Sequence, residues 1–219
     1  MFNIIKLLIQ VGVLFLVCQH GAFAASQNGE MDFLTAEVCD SLQNCQKGIV
    51  ANGIITAKSN SEFLKFLSAE SPITIFLNGK GQDLAAGIDL GKSIRLKGLN
   101  TQTGLLTQVP EKNSGKLRFL RTDSGECISA CFLAFLGGNT RSVQPNDVLG
   151  FNKIQENADK ANENRLRSSV ANYLSDMGIN LHTLDYLSFG KNNLIQRIPF
   201  STAQKLNVDN HEMPQGSPW

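Results

Sequence analysis

The chain has 219 residues, room for one domain and hardly two. Its 42% hydrophobic content excludes a chain that cannot bury a core. Lys and Arg number 20 against 19 Asp and Glu, a formal net charge of +1. That balance leaves no electrostatic case for nucleic acid or an anionic membrane surface as a partner.

The first segment reads as a targeting signal rather than part of the fold. "MFNIIKLLIQVGVLFLVCQHGAFAAS" carries Lys6, then an apolar run from Leu7 to Val17, then small residues. Ala22-Phe23-Ala24 fits the A-x-A pattern, so residues 1–24 are expected to form a signal peptide cut after Ala24. An uncleaved anchor helix is the rival reading; the run is short for a full span and Gln10 interrupts it. No later segment could span a membrane, so the mature chain is expected to be periplasmic or secreted. Export opens an oxidising compartment to the cysteines. Cys39, Cys45, Cys127 and Cys131 remain after cleavage, an even set with three pairings, of which Cys39–Cys45 with Cys127–Cys131 is the simplest. A zinc site needs other spacings, and no histidine lies near either pair, so no metal is expected.

Residues 25–47 are polar and read as an irregular N-terminal arm, pinned by Cys39 and Cys45. "GIVANGIIT" (48–56) alternates as a strand does. "SNSEFLKFLSAE" predicts a helix, with Ser59 and Glu62 at capping-box spacing. "ITIFLN" (73–78) is a short buried strand. It runs into a helix whose inner face is Leu84, Ile88, Gly91 and Ile94 and whose end lies near Gly98. "GLLTQV" and "LRFLRT" form a hairpin about the turn "EKNSG". "CISACFLAFLGG" predicts a helix closed by Gly137-Gly138, and "DVLGFN" a strand. A long surface helix ending at Gly178 follows, then two short helices in "LHTLDYLSFG" and "STAQKLN". Alternation of this kind argues for an α/β fold with a largely parallel sheet. Residues 210–219 read as a flexible tail.

Two strand-to-helix junctions carry the chemistry. Asn78-Gly79-Lys80-Gly81 offers backbone N–H groups, and Ser129 sits between Cys127 and Cys131 at the start of a helix. Sites in parallel sheets lie beyond the carboxyl ends of strands, where both junctions can fall. Together they can make a nucleophile and an oxyanion hole. A helix cap and an ordinary glycine loop are the bland readings of the same residues.

"ITIFLNGKGQDLAAGIDLGKSIRLKGLNT", the "CISAC" segment with "FLGG", and "VLGFN" together resemble the ClpP/crotonase superfamily, most of all exported ClpP-like bacterial proteins. The likeness spans residues 48–209 and implies a ClpP/crotonase-like spiral of ββα units, a largely parallel sheet flanked by helices. It implies a serine nucleophile at Ser129 and oxyanion donors at Ala130 and in the loop at Gly81 and Gln82. The family's histidine falls on Asn152, which has no proton to exchange near neutral pH. The family's aspartate falls near Ile195 or Gln196. Lys80 is the alternative base, ahead of Lys153, with His182 and His211 as incidental residues.

Two functions follow from that resemblance. One is a degenerate site that binds a peptide or acyl group without cleaving it. The other is a periplasmic serine peptidase or hydrolase using Ser129 with a base such as Lys80. No cofactor is expected, because no nucleotide fingerprint occurs. Self-association into a homo-oligomer is implied by the resemblance alone.

Overall fold

The computed structural model describes residues 29–67, 73–110, 117–122, 124–154, 160–189 and 194–211. The expected signal peptide lies outside the described residues. No helix among the described residues is long and apolar enough to cross a membrane.

The segment 25–47 read as an irregular arm holds, among its described residues, a strand and the start of another. β1 (Asp32–Cys39) pairs antiparallel with β2 (Cys45–Ile54), with Cys39 directly opposite Cys45. Asp40 closes the turn by accepting from the N–H groups of Leu42 and Asn44. Ala36, Val38 and Cys39 are buried. Their alternation with polar residues was too short, and too close to the cysteines, to read as a strand.

α1 (Ser59–Leu67) buries Phe63 and leads to β3 (Thr74–Lys80), which pairs parallel with β2. The expected capping box does not form. Ser59 is already helical, and its hydroxyl accepts from the N–H of Thr56, while Glu62 pairs with Lys65 at 2.9 Å. α2 (Leu84–Leu96) is capped by the Asp83 carboxylate, which accepts from the Ala86 N–H. Leu84, Ile88, Gly91 and Ile94 are all buried, as their spacing predicts.

On its other side β3 has two neighbours in turn. β4 (Asn100–Thr103) runs beside Thr74–Leu77, and β7 (Glu126–Ile128) meets it at Gly79. The chain continues from β4 through Gly104 into β5 (Leu105–Val109), antiparallel to β6 (Arg118–Thr122) as the hairpin pattern predicts. β6 pairs parallel with β1, so the sheet curls back on itself. Ala36, Val38, Val50, Phe76 and Phe119 form a second core cluster on these curled strands.

The main core lies between the sheet and two helices, α2 and α3 (Ala130–Leu136). A Cβ at Gly87 would sit 2.3 Å from the Ala130 carbonyl oxygen, so only glycine lets α2 reach the start of α3. β8 (Arg141–Ser142) pairs with β4, and β9 (Val148–Asn152) pairs parallel with β7. The long helix α4 (Lys160–Asp176) ends before Gly178, at φ +70°. The two short terminal helices are a single 3-10 segment, Leu181–Tyr186, and α5 (Phe200–Ala203). Between them β10 (Ile195–Arg197) pairs antiparallel with β9.

The loose tail does not begin at residue 210. The Asn210 side chain accepts from the Arg141 N–H and donates to the Asn139 carbonyl, and the N–H groups of Asn210 and His211 reach the Arg141 carbonyl. Residues 212–219 lie outside the described residues. The side chain of Arg141 is buried at 1% exposure and donates to the carbonyls of Gly138, Asn207 and Val208. Arg95 donates to the carbonyls of Gly137 and Gly138. Two guanidinium groups thus satisfy the orphan carbonyls at the end of α3, where the helix dipole favours positive charge.

Candidate functional site

The predicted helix at "CISAC" begins three residues later than its sequence suggests. Cys127 and Ile128 belong to β7, Ser129 is the turn, and Ala130 starts α3. Ser129 has φ 56° and ψ −108°, a conformation that costs a non-glycine residue of order 1–3 kcal/mol. Such a sharp strand-to-helix turn is where serine nucleophiles are displayed in other folds. A disulfide joins Cys127 to Cys131 across it, and a second joins Cys39 to Cys45. The simplest of the three pairings is the one that forms, and neither pair leaves a thiolate.

Ser129 is 3% exposed. Its backbone N–H donates to the Gly150 carbonyl, and its Oγ accepts from the Asn152 backbone N–H at 2.9 Å. The serine therefore ties the start of α3 to the end of β9. Among the described residues, no Lys, His, Asp or Glu side chain is hydrogen-bonded to Ser129 Oγ. The Asn152 side chain has no hydrogen-bond partner among the described residues.

Asn152 lies opposite Ile195 in the β9–β10 register, and Phe151 lies opposite Gln196. The three positions that the resemblance points to thus come together around β9. The middle one carries an amide and the third carries Ile195 or Gln196.

The loop expected to supply an oxyanion donor presents the Gly81 carbonyl to the start of α3. The Ala130 N–H donates to the Gly81 carbonyl at 3.0 Å. An oxyanion hole wants N–H donors converging on the developing charge. Here one expected donor is already engaged, and the oxygen that engages it belongs to the loop expected to supply the other. A Cβ at Gly81 would lie 2.9 Å from the Ala130 Cβ and 2.7 Å from the Ile55 carbonyl oxygen, so the loop packs flat against the elbow. Gln82 is exposed, just before the α2 cap at Asp83.

The remaining candidates lie apart. Lys80 ends β3 and lines a cavity with Asn78 and Glu126, whose lining residues do not include Ser129. The Lys153 N–H donates to the Leu194 carbonyl. His182 is exposed and faces Asp185 at 3.3 Å, and the His211 N–H donates to the Asp209 carboxylate.

One residue carries more than its sequence suggested. Asn78 stands where β3 changes neighbours from β4 to β7. Its amide donates to Asn52 Oδ1 at 2.8 Å, and its oxygen accepts from the Glu126 N–H at 2.9 Å. The side chain bridges the gap left where β4 departs, before the Gly79–Cys127 pairing begins. An asparagine before a glycine reads as turn chemistry in sequence, which hid this role.

No family model matches the chain, and no curated protein matches it in sequence. Solved structures do match. A variant of ClpP1 from Listeria monocytogenes is 18% identical over 74% of this chain and 88% of that one, with a TM-score of 0.51. A variant of the 1510-N membrane-bound stomatin-specific protease, in complex with a substrate peptide, is 14% identical over 80% and 74%, with a TM-score of 0.50. An enoyl-CoA hydratase subunit I from Geobacillus kaustophilus is 12% identical over 82% and 67%, with a TM-score of 0.44. At these identities the likeness to ClpP1 is one of fold: a mixed α/β, ClpP-like architecture of a curled, largely parallel sheet flanked by helices.

Proposed function

We propose that the chain is an exported protein on a ClpP-like fold whose serine site binds a peptide or acyl group without cleaving it. The observation that carries this reading is the bond from the Asn152 N–H to Ser129 Oγ, with no base beside the hydroxyl among the described residues. A serine without a base is a poor nucleophile, because the attacking oxygen keeps its proton. Loss of a triad base costs orders of magnitude in rate, and binding is what remains. The engaged Ala130 N–H works in the same direction, since it already donates to the Gly81 carbonyl.

The polar groups left over suit an extended peptide. Asn152 offers both an amide donor and an amide acceptor, the pair that a peptide unit requires. Gln82 offers the same pair at the exposed mouth of the loop. Two disulfides support export, because such bonds persist in oxidising compartments. On this reading residues 1–24 are the cleaved signal and residues 48–209 the ClpP-like domain, with homo-oligomer formation as a further part of the proposal.

Binding is tested by titrating the protein with a library of short N-acyl peptides and repeating the titration with Asn152→Ala. The proposal expects saturable binding that weakens about tenfold in the variant, the scale of one lost amide pair. Equal affinity of the two proteins for every ligand that binds would remove Asn152 from the site.

A further inference from the structure

The cavity that Lys80 lines, of ≈ 330 Å³, opens at the carboxyl ends of β2 and β3 and the beginning of β7. Parallel sheets bind ligands at such ends, where strand order changes. The volume lies at the lower end of the range for small-molecule sites. Asn52, Ile54, Asn78, Lys80, Leu105 and Glu126 line it. Ser129, Ala130, Gly81 and Asn152 are not among its lining residues.

Its charges are of opposite sign and unpaired. Neither Lys80 nor Glu126 has an ion-pair partner among the described residues. Gly79 pairs with Cys127, so Asn78 is level with Glu126 and Lys80 stands two residues further along. With strands about 4.8 Å apart and a rise of about 3.3 Å per residue, the two backbones are about 8 Å apart. The Asn78 side chain holds this geometry by bonding to Asn52 on one strand and to the Glu126 N–H on the other. Ile54 and Leu105, 37% and 43% exposed, add an apolar wall.

We infer that this cavity binds a short peptide with both ends free, its carboxylate on Lys80 and its ammonium on Glu126. A cation and an anion held apart in one cleft complement a zwitterion rather than a simple anion or cation. Each contact is a charge-assisted hydrogen bond, stronger than its neutral counterpart. The backbones that carry the two charges are about 8 Å apart and no ion pair joins them, which leaves room between them for the separated termini of a dipeptide. The wall of Ile54 and Leu105 accepts an apolar side chain. Lys80 thereby has a task that the serine site does not give it.

The experiment is an NMR titration of the full chain with glycyl-leucine, N-acetylglycyl-leucine and glycyl-leucine amide. The inference expects saturable binding of glycyl-leucine in the micromolar to low-millimolar range, about what so small a ligand can reach. Each blocked form should bind about tenfold more weakly. Lys80→Met should erase the preference for a free carboxylate, and Glu126→Gln the preference for a free amine. Both side chains are exposed, and a thermal melt of each variant checks that it is folded. No saturable binding, equal binding of the blocked forms, or preferences for the free termini that survive in Lys80→Met and Glu126→Gln would each overturn the inference.

Discussion

Ser129 is held as a strand tie. Its Oγ is the acceptor for a backbone N–H at the end of β9, and that N–H has no other partner among the described residues. Ser129→Ala should therefore lower stability by about 1–2 kcal/mol, the cost of a donor left unpaired in a nearly buried place. Chemical denaturation measures it. A change under a few tenths of a kcal/mol would mean that the bond contributes nothing. The serine and the asparagine were both singled out in the sequence, by the resemblance. Their mutual bond was not. It depends on where β9 lies beside β7, and no local pattern encodes a contact across 23 residues.

The disulfide at this elbow belongs to the next scale, because it joins β7 to α3. In the chain-entropy account, closing so short a loop stabilises a protein by about 2 kcal/mol. The double variant Cys127→Ser, Cys131→Ser should lose about that much on denaturant unfolding. No loss would mean that packing alone holds the elbow. Elements with strong periodicity were readable in advance: α2 buries the face its spacing predicted, and β5 and β6 form the expected hairpin. The shortest were not. β7 has three residues and β8 two, and neither shows a period of its own. β1 looked like a polar arm because Thr35 and Glu37 break its apolar residues. Pairing on both sides, to β2 and β6, makes it a strand.

Across the whole molecule, one buried cation joins the end of α3 to the C-terminal segment. Burial, together with the nearby charge of Arg95, holds the Arg141 guanidinium down to about 10, still protonated at neutral pH. Arg141→Met would leave the carbonyls of Asn207 and Val208 without this donor. It should cost about 3 kcal/mol or more and lower Tm by roughly 10 °C, read in a thermal melt. Nothing in "NTRSV" announced this residue, since an arginine in a polar loop is ordinarily exposed. Fold and chemistry are separate questions here: the architecture resembles that of ClpP1, whereas among the described residues no Lys, His, Asp or Glu side chain is hydrogen-bonded to Ser129 Oγ. The direct test is to expose the purified protein to a fluorophosphonate probe beside Ser129→Ala. The account predicts no covalent label on either. Labelling of the wild type that disappears in Ser129→Ala would contradict it.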